Sequence, residues 1–454
     1  MSVGYDSVQP PDRPHAPSPN EVRRVAVSGF LGNTIEYYDF ILYGSAAALF
    51  IGPLFFSGLS PAVGTLVSFA TLATGYVARP LGGIVFGRLG DRIGRKPVLL
   101  ITMVVMGVGS GLIGVLPTYT QIGVAAPLLL VLLRLVQGFA IGGEWGGAAL
   151  LTAEHAPDGR RGFFTAIAQS GLPLGSLLSV LAMAAVSLLP QEQLMTWGWR
   201  LPFLVSFLML GVGLYVRTRI SESPLFDELD ATAQRRRRPL TQILRRPGAL
   251  FRGVAATIPP VMGSTLFGSF VLSYAVGIGY TRSEVLVALG IAWAASIVTT
   301  PLYGMLSDRI GRRPVYLFGA LGLAVLAFPV FWAINSLSTT LLVISLVVVF
   351  ALVSVAMSGP LAALLSEMFS TDVRYTGVSL SYQVATIIAG FTPLLAGSLL
   401  ALAGGGRNVG LICAFVAVVS LLAASIALFW MGPGGGSLRS VRIAQPEPEP
   451  ALDQ

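Results

Sequence analysis

The stretch GRLGDRIGRKP at residues 87–97 returns 217 positions later as GMLSDRIGRRP at residues 304–314. Each copy sets one acid among three or four bases, between two long apolar runs. A second echo pairs AALLTAEHAPDGRRG (148–162) with AALLSEMFSTDVRYTG (362–377), at offsets of 213 to 215 residues. Two separate segments that repeat at nearly one spacing imply two halves built on one plan in the same orientation.

The runs between these motifs decide the medium. Of 454 residues, 54% are hydrophobic and 11% charged, against about 25% charged in an ordinary soluble domain. A bilayer-spanning helix needs about 20 mostly apolar residues. Twelve segments qualify: 26–50, 62–86, 98–117, 124–152, 163–188, 200–216, 250–277, 283–303, 315–335, 340–366, 377–402 and 409–431. Each must be a helix, because lipid satisfies no exposed strand edge, and no segment shows the period of two of a barrel strand. The expectation is an all-α membrane protein, with twelve transmembrane helices in two parallel six-helix halves (26–216 and 250–431). A linker at 217–249 joins them. The Pro-rich segment 1–25 and the tail 432–454 read as solvated extensions. Parallel halves place a substrate site near the midplane, at their interface.

The net charge of +8 does not imply nucleic acid, because the bases sort by side of the membrane. Arg88, Arg92, Arg95, Lys96, Arg160, Arg161, Arg217, Arg219, Arg235 to Arg238, Arg245, Arg246, Arg309, Arg312, Arg313 and Arg374 fall on one side. Only Arg200, Arg282 and Arg407 fall on the other. This predicts cytoplasmic basic loops and termini in a multi-pass cell-membrane protein. The run at 235–238 reads as a topology anchor or anionic-lipid contact. One cysteine, Cys413, allows no internal disulfide. No cleavable signal peptide precedes the first span. With two histidines, no HExxH and no GxxxxGK[ST], neither an enzyme nor a cofactor or metal site is expected.

The paired Gly-x-Leu-x-Asp-Arg-x-Gly-Arg-Arg/Lys motif resembles the cytoplasmic loop motif of the major facilitator superfamily, and the resemblance covers residues 26–431. GNTIEYYDF, ARPLGGIVFGRLGDRIGRK, RLVQGFAIGGEWGGA, SESPLF and DVRYTGVSLSYQ resemble its metabolite:proton symporter branch. The branch imports compounds such as oxoglutarate, citrate, shikimate, and proline or betaine. The resemblance therefore implies proton-coupled uptake of a small polar metabolite by alternating access, with function as a monomer. It also implies a network that joins the halves when the protein opens outward. Its members here would be Asp91, Arg92, Arg95, Asp308, Arg309 and Arg312 in tight glycine-bounded loops, with Glu154, Glu222, Glu367 and Arg374. Superfamily antiporters carry a Gly-Pro motif in the fifth helix. Gly171-Leu172-Pro173 departs from it, which weighs against the other reading, a proton-coupled exporter of a drug or natural product.

Charges within the apolar runs mark the chemistry, since one at the bilayer centre costs at least about 2.5–3.5 kcal/mol. In the first span Asn33, Glu36, Tyr37, Phe40, Tyr43 and Gly44 share a helical face, and Asp39 lies one step around. Both acids are expected to face an inward cavity. Asp39 sits about 20 Å deep and Arg134, in the fourth span, about 15 Å from the opposite end, so the two fall at similar depth. Burial and a neighbouring guanidinium push a carboxyl's proton affinity in opposite directions. Arginine keeps its charge and needs an anion in every state: Asp39, Glu144 or a substrate carboxylate. Asp39, Glu36 and Glu144 are the candidates for the proton. Arg134, Gln137, Tyr43, Gln169, Tyr274 and Gln383 are the candidates for the substrate. Trp145 either stacks on a ring or fills a gap, and Arg79 either snorkels to the interface or meets an anion. The glycines of the fourth span read as close-packing positions, and Pro259-Pro260 and Gly359-Pro360 as bending points.

Overall fold

The computed structural model describes residues 19–93, 95–142, 144–157, 159–218, 247–369 and 374–430. Eleven helices there are long and apolar enough to cross a bilayer. They are α1 (Val22–Phe55), α2 (Pro61–Phe86), α3 (Pro97–Val115), α4 (Ala125–Leu150), α5 (Arg161–Ser187), α6 (Gly198–Tyr215), α7 (Pro247–Ile278), α8 (Arg282–Ile310), α9 (Arg312–Asn335), α10 (Thr339–Met368) and α11 (Thr376–Leu402). The twelfth, α12 (Gly410–Trp430), completes the second set of six.

Helix continues where the sequence suggests loop. Helical structure starts at Pro19, ahead of the expected 26. The helix of α2 runs on to Ile93 and α8 reaches Ile310. The motif acid Asp308 thus stands in the last turn of a helix rather than in a loop. α8 carries Pro301 and Gly304 without breaking and stops only at Gly311, whose φ of 92° is a backbone conformation open to glycine.

Several spans are jointed. α4 is divided between Ile141 and Trp145, α5 at Ser170 and α11 at Phe391. α10 is divided at Gly359-Pro360, as the breaker residues predict. α7 runs uninterrupted through Pro259 and Pro260 and loosens only beyond them, into a π turn at Leu266–Phe270. Two further π turns lie in α1 (Ala47–Ile51) and α10 (Val348–Ser354).

Small residues let backbones approach where lipid supplies no hydrophobic drive between helices. A Cβ on Gly138 of α4 would strike the Gly75 carbonyl of α2, and one on Gly142 the Arg79 carbonyl. Between the halves, Gly44 of α1 faces Ser269 of α7, Gly390 of α11 faces Tyr76 of α2, and Gly304 of α8 faces Gly162 of α5. The α2–α11 and α5–α8 pairings exchange when the halves are exchanged, as the internal repeat requires.

Gly138→Ala is expected to lower the thermal midpoint of the detergent-solubilised protein, at a cost of about 1–3 kcal/mol for the overpacking. Gly211→Ala, where an added Cβ meets nothing within 4 Å, should leave the midpoint in place.

Candidate functional site

Asp39 of α1 and Arg134 of α4 meet their neighbours inside the N-terminal half. Asp39 is 3% exposed and accepts a hydrogen bond from the Ser206 hydroxyl of α6. Ser110 of α3 lies near that carboxylate without a hydrogen bond to it. Gln137 donates to Ser110 Oγ at 2.7 Å, and Arg134 donates through Nη1 to Gln137 Oε1 at 3.0 Å. The bonded series from Arg134 thus ends at Ser110, beside Asp39, and no direct ion pair between Asp39 and Arg134 is present among the described residues. The acid points between α3 and α6, away from the interface of the halves, where the sequence expectation had it facing a cavity.

Arg134 is held by rings instead of by a carboxylate. Its guanidinium carbon lies 3.9 Å from the Tyr43 ring centroid and 5.2 Å from that of Phe40. The Tyr43 hydroxyl is tied to Thr71 at 2.6 Å, which fixes the ring. Nε and Nη2 of Arg134 have no hydrogen-bond partner, nor does Asp39 Oδ2. A guanidinium with two donors unspent has the geometry that takes a carboxylate bidentately.

A second buried guanidinium shares the same ring. Arg79 of α2 is 3% exposed, so it does not snorkel. It sits 4.3 Å from the Phe40 centroid and 4.5 Å from that of Tyr76, and its Nε has no partner. Such cation–π contacts are worth up to about 2 kcal/mol when desolvated. Beside it the halves meet through Tyr37 of α1 and Tyr382 of α11, whose hydroxyls are 2.6 Å apart. Tyr382 stacks on Trp145, with centroids 3.6 Å apart and planes inclined by 9°. Glu36 is buried near this pair. Glu144 is buried at the head of the second piece of α4.

The cavity itself lies between the halves. Gln169 of α5, Ser264 of α7, Trp293, Ser296 and Thr300 of α8 and Ser354 of α10 line it. A smaller annex runs from Gln169 to Asn33 and Trp145. Asn33 orients Gln169, donating to its Oε1 at 3.0 Å. The halves touch on either side of the cavity. On the non-basic side Arg282 donates to Gln191 at 2.8 Å. On the basic side Asp308 accepts from the backbone N–H groups of Gly162 and Phe163, both at 2.8 Å. A carboxylate at the start of α5 meets the positive end of the helix dipole. Arg312 clamps it, bonding Asp308 at 2.6 Å and Glu367 at 3.1 Å.

Residues 25–246 match the family model "Sugar (and other) transporter", and residues 255–451 match "Major Facilitator Superfamily". The shikimate transporter of Escherichia coli (strain K12) is 38% identical over 415 residues, 89% of this chain and 94% of that one. The inner membrane metabolite transport protein YhjE of the same organism is 38% identical over 414 residues, 89% and 93% of the two chains. The chain belongs to the major facilitator superfamily.

The superfamily fold is shared with the crystal structure of a D-xylose-proton symporter at a TM-score of 0.72. The two are 20% identical over 92% of this chain and 100% of that one. With its curated relatives, the chain falls in the metabolite:proton symporter branch as a membrane transporter and not an enzyme.

Of the candidate residues, the structure brings Arg134, Gln137 and Tyr43 into one network with Asp39 nearby, and puts Gln169 on the cavity wall. Gln383 is spent in part on the joint of α4, donating to the Gly142 carbonyl at 2.8 Å, with its Oε1 left over. Tyr274 lies elsewhere: it bonds Asn335 at the end of α9 and stacks on Phe270, so it ties the second half together away from the cavity. In the network at the basic face, Asp308, Arg312 and Glu367 come together. Arg309 is exposed, and Arg374 turns back to the Phe369 carbonyl at 3.2 Å. The side chains of Asp91, Arg92, Arg95 and Glu154, and all of Glu222, lie outside the described residues. Ser110, Ser206, Trp293 and Ser354 escaped the sequence reading. A hydroxyl or an indole in an apolar run carries no signal without its neighbours.

Asp308→Ala leaves two backbone donors without an acceptor and Arg312 with one acid fewer. Labelling of a cysteine at Thr165, in a Cys413→Ala background, by a membrane-impermeant maleimide applied to the basic face should speed up several-fold. An unchanged rate would remove Asp308 from this contact.

Proposed function

We propose that this transporter is a proton-driven importer of a small polar carboxylate, with its basic face and termini in the cytoplasm and with one chain sufficient for transport. A shikimate-like acid is the preferred substrate class, ahead of a di- or tricarboxylate or of proline and betaine. The observation that carries this reading is the buried Arg134 guanidinium with unspent donors, set near a buried Asp39 that it does not pair with directly. The name of the 38%-identical relative supports the substrate class.

In this reading Asp39 carries the proton. Protonation removes the nearby negative charge of Asp39, while Arg134 stays charged and then needs an anion from elsewhere. A substrate carboxylate supplies it. Arg79, on the side of Phe40 nearer the Tyr37–Tyr382 contact, stands closer to the basic face than Arg134 and is a second cation for that anion on its way to the cytoplasm. Proton and substrate then raise each other's affinity by one factor. Inward proton flow supplies about 2.3 kcal/mol per charge for each 100 mV, and about 1.36 kcal/mol for each pH unit. Opening toward the cytoplasm parts Asp308 from α5, and closing restores it.

Asp39→Asn should abolish proton-driven accumulation in right-side-out vesicles and spare substrate exchange. Accumulation equal to wild type in that variant would rule out Asp39 as the carrier. Arg134→Ala should weaken binding of anionic substrates at least tenfold, and Arg134→Lys should recover little, because a lysine lacks the planar fork. Uptake by everted but not right-side-out vesicles would reverse the direction and favour an exporter.

A further inference from the structure

The cavity wall contributed by the second half differs from the charged first half in kind. None of its lining residues carries a formal charge. Two of its hydroxyls are already spent: Ser296 donates to the Ala292 carbonyl at 2.8 Å and Thr300 to the Ser296 carbonyl at 2.6 Å. Two other donors are not. Trp293 is 2% and Ser354 4% exposed, and neither Trp293 Nε1 nor Ser354 Oγ has a hydrogen-bond partner. A buried donor left unsatisfied is costly, and the great majority in native proteins find an acceptor. The Trp293 indole is braced by Phe350, with centroids 4.1 Å apart, so the N–H has a fixed aim. Ser354 closes the π turn of α10, a device found at functional sites more often than chance.

We propose that this wall is a hydroxyl-recognition subsite, in which Trp293 Nε1–H and Ser354 Oγ–H donate to ring hydroxyls of the substrate. Gln169 closes the subsite from the other half. The inference rests on the carboxylate-import reading and sharpens it. The acid end of the substrate turns to the guanidinium side, and a hydroxylated ring turns to α8 and α10. An acid without hydroxyls leaves both donors unpaired, and a site built to bond a hydroxyl discriminates against the analogue that lacks it.

The test uses the full-length protein in detergent, with binding of shikimate compared with binding of cyclohex-1-ene-1-carboxylate, the same ring acid without hydroxyls. Wild type should bind shikimate at least tenfold more tightly. Trp293→Phe, which keeps a ring, and Ser354→Ala should each weaken shikimate binding about 5- to 10-fold, the scale of one hydrogen bond. Neither should alter binding of the cyclohexene acid. Should Trp293→Phe fail to fold, Ser354→Ala decides. Equal binding of both acids by wild type, or variants that affect both acids alike, would overturn the subsite and leave carboxylate import standing. Binding of neither acid would overturn both.

Discussion

An arginine that can neither lose its proton nor reach water governs the first half of this transporter. Arg134 is 1% exposed, and a guanidinium stays charged at any physiological pH. Its surroundings are shaped to answer that charge without cancelling it. Tyr43 and Phe40 offer ring faces and Gln137 an amide oxygen, while Gly75 keeps α2 close without filling the space beside Nη2. A direct carboxylate partner would have spent both donors and left a static ion pair. Placing Asp39 nearby but out of direct contact keeps the cation available, yet electrically aware of the acid.

The second half is organised by a different need. It holds the neutral wall of the cavity and, at Asp308, closes onto the start of α5. That closure depends on two glycines, since only the bare backbones at Gly162 and Gly304 let α8 come near enough for one carboxylate to accept from two amides. The charged network around it lies at the aqueous end of the helices. Its contacts can there be exchanged for water at little cost, which suits the opening and closing proposed for them.

Much of this was legible in the sequence, for reasons that differ by level. The offset of 217 residues between the two glycine-rich motifs carried the architecture, because duplication preserves spacing even where side chains drift. Intramembrane charge exposed Asp39 and Arg134, since lipid makes such residues expensive. What they touch was not legible. Helical periodicity sets a face, but Asp39 stands at its edge, and the serine that bonds it, Ser206, sits in an ordinary apolar run. For Arg79 and Trp145 the sequence admits two readings each. Tertiary contact decided both, through a ring sandwich for Arg79 and Tyr382 for Trp145. The joints at Ile141–Trp145 and Ser170 were masked because small residues serve close packing and helix breaking alike. Tyr274 looked like a ligand group for want of knowledge that Asn335 lies opposite it.

The π turns of α1 and α7 lie at corresponding places in the two halves, beside the contact of Gly44 with Ser269. A π turn holds one residue more than the α-helical turn it replaces. Passing that surplus residue one step along the chain turns the side chains it crosses by about 100° while the backbone bonds are exchanged rather than lost. In a medium that penalises every unanswered amide, that is an economical way to move. The two helices can re-aim what they present to each other by ratcheting a dislocation along their length, with neither helix having to melt.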